Sequence, residues 1–218
     1  LVPLKGFNKY IYIMPRFSDV LENLEISDYN NKKITFSTKE GRPVRFQIPR
    51  MYMPFGLSGF TPEIGPTKYN IDFSMKGYDE EGNYVKSFYD SIRKIEDAII
   101  LEVVTQSVNI FGQAKTYAEI KDMFNSNIKE SPDREPKFRV KVDTSFEGHI
   151  KPFVVDSEKN DVRKIAENGL YARNTAIALV ELNSVYFLNK KFGITWKLYQ
   201  LMTFEPQRLK GFQFISDE

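Results

Sequence analysis

The sequence predicts a mainly β, α+β chain: a small barrel or sandwich whose helices are confined to one inserted block. Three observations carry that expectation. Apolar and polar residues alternate with period 2 before residue 77 and again after residue 136. Between those stretches the apolar residues fall at helical spacing, over about residues 86–128. No repeated alternation of strand and helix, the mark of a parallel βαβ sheet, runs through the chain.

Residues 1–32 contain a short apolar run at 10–14 and a polar stretch at 28–33, and read as an N-terminal arm with one short strand. Residues 34–37 and 44–48 flank Thr38-Lys39-Glu40-Gly41 and read as a β-hairpin with glycine in its turn. Ile34, Phe36, Val44, Phe46 and Ile48 point inward; Lys33, Thr35, Ser37, Arg45 and Gln47 point outward, with no carboxylate among them. Residues 49–67 carry four Pro and three Gly interleaved with Tyr52, Phe55 and Phe60, a composition that predicts a long loop without a regular element. Such loops are often functional, although the same rings would serve to pin the loop to the core. Residues 68–76 form a third strand with Tyr69, Ile71, Phe73 and Met75 on one face, and 79–83 a turn.

Phe88, Ile92, Ile95 and Ile99 set a helix over about 86–104. A second helix over about 117–128 opens with Thr116 and Glu119 spaced as a capping box, and 131–136, with two prolines, stops it. Residues 137–143 alternate most sharply: Phe138, Val140 and Val142 inward, Lys137, Arg139 and Lys141 outward. At a rise of about 3.3 Å per residue those cations recur every ~6.6 Å, near the phosphate spacing of an extended single strand. Lysines on an edge strand also guard against aggregation, which is the plainer account of the same pattern. Residues 150–155 place Lys151 and Phe153 on one face, and 156–174 are polar with room for a short helical turn. A long hairpin, 176–188 and 192–203 about Asn189-Lys190-Lys191, closes the chain. In its second strand Ile194, Trp196 and Leu198 point inward, and Thr195, Lys197 and Tyr199 outward.

Composition narrows the function classes. In 218 residues, 18 Phe and 12 Tyr are more aromatic surface than one core needs. The net charge of +2 hides a division. Residues 79–135, the helical block, hold 7 Lys/Arg against 12 Asp/Glu; residues 1–78 hold 11 against 7 and residues 169–210 hold 6 against 2. The acidic block is therefore expected to face solvent or a partner, away from any polyanion. The absence of cysteine excludes disulfides and thiolate chemistry and fits an intracellular protein. No apolar run has the length of a membrane span and no signal-peptide pattern opens the chain; because it begins with Leu, native residues are expected to precede it. The single histidine, His149, stands beside Gly148 as in a surface turn, the Asp79-Glu80-Glu81 cluster reads as a solvated turn, and no phosphate-cradling glycine pattern occurs. No catalytic residue, metal or cofactor is expected, and the chain reads as a binding protein, not an enzyme.

Cations that track phosphates, with flat rings among them, hold single strands without sequence preference. Arg45, Lys137, Arg139, Lys141, Lys151 and Lys197, with Phe153 and Tyr199 among them and Arg50, Tyr52 and Phe55 in the adjoining loop, make the candidate nucleic-acid surface. No basic recognition helix accompanies them, which argues against major-groove reading.

The run Pro136–Val142 followed by Ile150-Lys151-Pro152-Phe153, then Gly169–Asn174, Val185-Tyr186-Phe187 and Phe192–Leu198, resembles the single-stranded-DNA-binding proteins of nucleocytoplasmic large DNA viruses. Those are distantly similar to the replication single-strand binder of short-tailed coliphages. The resemblance covers roughly residues 33–204 in order and spacing. It implies an OB-fold-like β-barrel over 33–210, with a helical insertion at about 86–130, an arm at 1–32 and a tail at 211–218. It also implies single-strand binding in viral DNA replication, recombination or repair, in host cytoplasm or a viral factory. Members commonly end in an acidic tail that recruits replication proteins; here only Asp217 and Glu218 suggest one, which leaves the tail short, truncated or absent. Single-stranded DNA is the expected partner, with RNA, replication proteins meeting the acidic segments and further copies of the chain left open, and no membrane. The competing class is a structural virion protein, or an accessory protein using the barrel for protein contacts. A capsid part would scatter its cations; a single-strand binder would gather them.

Overall fold

The computed structural model describes residues 16–206, so the apolar run at 10–14 and the acidic end at Asp217 and Glu218 lie outside the described residues. Two 3-10 turns, Phe17–Asp19 and Leu21–Asn23, lead into strands β1 (Leu24–Ile26), β2 (Lys33–Thr38), β3 (Val44–Gln47), β4 (Met51–Met53), β5 (Leu57–Phe60) and β6 (Lys68–Ser74). Helices α1 (Tyr84–Thr105), α2 (Ser107–Phe111) and α3 (Tyr117–Met123) follow. Then come β7 (Phe124–Asn125), β8 (Ile128–Ser131), β9 (Arg134–Val142), β10 (Phe153–Val155), β11 (Asn174–Leu188) and β12 (Lys191–Phe204).

Strand β11 pairs with β4, β4 with β6, β6 with β9 and β9 with β12, and β12 returns to β11. Five strands thus close on themselves, an OB-fold-like barrel, as the sequence leads one to expect. The β11–β12 hairpin is its longest ladder, running from Thr175↔Phe204 to Leu188↔Lys191. Asn189 and Lys190, at φ 50 and 60, make the tight turn whose twist suits such a hairpin.

The inward positions fill the barrel with rings in edge contact. Phe88 of α1 meets Phe138 at 5.3 Å, Phe138 meets Trp196 at 5.5 Å, and Trp196 meets Phe46 at 5.6 Å. The inserted helix is thereby fastened to the barrel core through its predicted stripe of Phe88, Ile92, Ile95 and Ile99. Asn83 caps α1 by accepting from the Val85 N–H, and Thr116 and Glu119 form the expected capping box on α3.

Several local expectations are corrected. The 34–48 segment is not a paired hairpin: β2 and β3 both line β11, with Thr35↔Ser184 and Val44↔Leu182. A 15-residue strand offers a longer ladder than the two short strands offer each other. The 49–67 segment contains β4 and β5, because its prolines stand between and beyond the strands, where no ladder donor is missed. Gly56, at φ 58, lets the link between them run against the backbone at 170–172, where a Cβ would come within 2.2 Å of the Leu170 carbonyl oxygen. The second helix stops at Met123, five residues early. Phe124 pairs instead in parallel with Phe192, and Ile128 opens β8 against β9. The prolines at 132 and 136 therefore belong to a β-hairpin. Helix α2 was not foreseen, and residues 156–174 form turns and isolated bridges instead of a helical turn.

Candidate nucleic-acid interface

Register places five outward side chains in one row across five strands. Arg45 on β3 faces Glu181 on β11, Glu181 faces Lys197 on β12, Lys197 faces Lys141 on β9, and Lys141 faces Asn70 on β6. At about 4.8 Å between neighbouring strands the row spans ~19 Å. One step along β9, Arg139 faces Asp72 of β6.

The row is less free than the strands suggest one at a time. Arg139 donates through Nε and Nη2 to the Asp72 carboxylate at 2.7 and 2.9 Å, and Lys137 Nζ stands 3.9 Å from the same group. The Asp72 hydrogen bonds hold the Arg139 guanidinium above its ordinary value, against burial. Arg45 Nε donates to Glu181 at 2.7 Å, so the carboxylate missing from β2 and β3 is supplied by the neighbouring strand. Lys141 and Lys197 share Asp143, at 2.7 and 3.0 Å. Burial pushes the Asp143 carboxyl up, but hydrogen bonds from the two ammonium groups outweigh it and leave the carboxyl below its usual range. Lys151 is exposed and makes no ion pair among the described residues.

Lys151, Phe153, Lys197 and Tyr199 come together in a groove of about 430 Å³, with Asp143 and Glu181 on its walls. Its two rings are 44 and 39% exposed, whereas Trp196 is wholly buried, so the division of Trp196 from Tyr199 holds. The Arg45 guanidinium lies 3.7 Å from the Tyr199 ring centroid, and Arg163, not anticipated from sequence, lies 5.1 Å from that of Phe153. Each ring thus carries a cation near it, a cation–π arrangement that also stabilises a stacked base.

Arg139 and Lys141 line a second groove, of about 280 Å³, together with Lys129, Tyr186 and Thr195. Lys129 and Tyr186 escape the sequence pattern for separate reasons. Lys129 falls in the expected helical insertion, just past the helix at 117–128, where no strand is expected, whereas β8 carries it. Tyr186 shares its parity with inward Leu182, but β11 carries an extra residue, Asn183, between the pairs Leu182↔Trp196 and Ser184↔Thr195. That bulge turns Tyr186 to the outer face. Tyr199 is the corresponding extra residue of β12, between Leu198 and Gln200, and beyond it the inward positions shift to Leu201 and Thr203.

The loop residues are only partly drawn in. Lys137 Nζ lies 4.9 Å from the Phe55 ring centroid, which joins Phe55 to the edge of the row. Arg50 and Tyr52 line a different groove, of about 610 Å³, beside Glu80 and Glu135. Arg50 donates to Thr175 Oγ1 at 2.9 Å and packs over Phe204 at 3.9 Å. Of the candidate residues, Lys151, Phe153, Lys197 and Tyr199 thus line the first groove, Arg139 and Lys141 the second, and Arg50 and Tyr52 a third.

No protein-family model and no curated protein sequence matches this chain. Among solved structures it is similar to gp2.5, a single-stranded DNA binding protein encoded by bacteriophage T7, with 16% identity and a TM-score of 0.50 over 79% of this chain and 98% of that one. It is also similar to the single-stranded DNA-binding protein from bacteriophage Enc34 in complex with ssDNA, at 16% identity and a TM-score of 0.47 over 87% of this chain and 99% of that one. At this identity the likeness to the T7 protein is one of fold, and it agrees with the OB-fold-like barrel.

Proposed function

We propose that this chain binds single-stranded DNA with little sequence preference, across the outer face of β3, β11, β12 and β9. The observation that carries this reading is the continuous row from Arg45 to Asn70, flanked by the exposed rings of Tyr199 and Phe153. Phosphates meet Lys151, Lys197 and Lys141, and bases stack on the two rings, each stack contributing about 1–3 kcal/mol. Cations gathered in this way favour a strand binder over a virion part, which would scatter them. The barrel shared with a T7 protein described as a single-stranded DNA binder supports the reading as well. The context that follows is viral DNA replication, recombination or repair, in a large DNA virus as the sequence resemblance implies, with no catalysis by the chain itself.

Fluorescence anisotropy of a labelled oligo(dT) titrated with the protein at several salt concentrations tests this. Binding should weaken steeply with salt, log K falling by about 0.7 per phosphate engaged for each unit of log salt. Affinity that is absent, or indifferent to salt, overturns the proposal.

A further inference from the structure

We infer that the groove between β6, β9 and β12 is a nucleobase subsite, where the Asn70 amide and Thr195 hydroxyl meet the edge of one base and Tyr186 meets its ring. The inference rests on the single-strand reading above and goes beyond it, since it assigns a place where the edge of one base is met.

Four observations converge on it. The groove, at about 280 Å³, is smaller than sites for drug-sized ligands and suits one base. The side chains of Asn70 and Thr195 are half-buried and have no hydrogen-bond partner among the described residues. Half-buried polar groups without protein partners are open to hydrogen bonds from a ligand or from water. Asn127 Oδ1, in the same lining, is buried and likewise unpartnered.

The third observation is that the wall is fixed in advance. Glu96 of α1 accepts from Ser126 Oγ at 2.7 Å and from the Asn127 N–H at 3.2 Å, while Asn127 Nδ2 donates to the Arg139 carbonyl at 3.1 Å. Asn125 Nδ2 donates to Tyr186 Oη at 3.2 Å, and Asn125 Oδ1 accepts from Lys129 Nζ at 2.8 Å. Side chains locked in this way hold a binding geometry before the ligand arrives. Fourth, Tyr186 lies across Gly193, where a Cβ would come within 2.6 Å of Tyr186 Oη and 2.9 Å of the Asn125 carbonyl oxygen. Only glycine allows that placement. Neutral donors and acceptors beside a ring, with Lys129 and Lys141 alongside for a phosphate, match a nucleotide better than an anion alone.

The test compares oligo(dT) with the same strand carrying abasic residues, by anisotropy, for the wild type and for Asn70→Ala/Thr195→Val. The wild type should prefer the base-bearing strand, and the double variant should lower that preference by about fivefold for each neutral hydrogen bond lost. Thr195→Val alone, close to isosteric, gives the same direction should the double variant unfold early. A preference ratio that the variants leave unchanged, or an equal loss on both strands, overturns the subsite and spares single-strand binding. Failure of the wild type to bind either strand overturns both.

Discussion

Arg139 is the residue whose meaning changes most between strand and molecule. Its guanidinium chelates Asp72, which is only 7% exposed. Arg139→Ala should therefore cost about 2–3 kcal/mol in urea unfolding, because it strands a buried carboxylate. Lys151→Ala, at an exposed site without an ion pair among the described residues, should stay within about 0.5 kcal/mol in the same measurement. It should nevertheless weaken oligo(dT) and oligo(dA) alike. If Lys151→Ala leaves binding untouched, Lys151 is a solubility residue. Tyr199→Ala should lower affinity by about tenfold, within the range of a lost base stack, with near-native stability. Anisotropy and thermal unfolding together check that pair of outcomes.

At the scale of elements, the inserted helix α1 supports the second groove as well as the core. Burial pushes the Glu96 carboxyl above its ordinary value, against hydrogen bonds from Ser126 and Asn127 and the nearby Arg93. A folded value raised above the unfolded one means a contribution that is complete below about 4.5 and lost as pH rises through the folded value. The stability of the wild type relative to Glu96→Gln should accordingly be greater near pH 5 than near pH 7 in urea unfolding. A difference that is flat with pH would mean Glu96 titrates normally. Gly193→Ala tests the β11–β12 ladder: its Cβ has no room beside Tyr186 and the Asn125 carbonyl, so it should cost about 1–3 kcal/mol by urea unfolding.

For the whole molecule, the balance of charge decides how tightly a polyanion is held. Asp72, Asp143 and Glu181 already engage most of the cations of the row, so the salt slope should be shallower than a count of lysines and arginines suggests. Asp143→Asn releases Lys141 and Lys197 together; it should raise affinity for oligo(dT) and steepen log K against log salt. An unchanged slope would place both lysines outside the strand's path. The acidic block is not kept apart from the basic strands: its helices join the barrel through Phe88 and Phe138, but its last residues enter β8 and β9, and Glu135 shares β9 with Lys137, Arg139 and Lys141.

Alternation alone identifies β9 and the hairpin strands, assigns Trp196 inward and Tyr199 outward, and marks the Lys137–Lys141 cations, since side-chain direction in a strand follows from parity. Spacing likewise sets α1 and the α3 cap, which are local interactions. Parity does not survive a bulge, so the outward turn of Tyr186 depends on the extra Asn183, an insertion visible only against β12. Nor does it name a strand's neighbours. That Asp72 would meet Arg139, that Glu181 would meet Arg45, and that residues 124–128 would leave the helix for the sheet were decided by barrel closure. Those pairings join residues far apart in the chain, and local sequence carries no record of them.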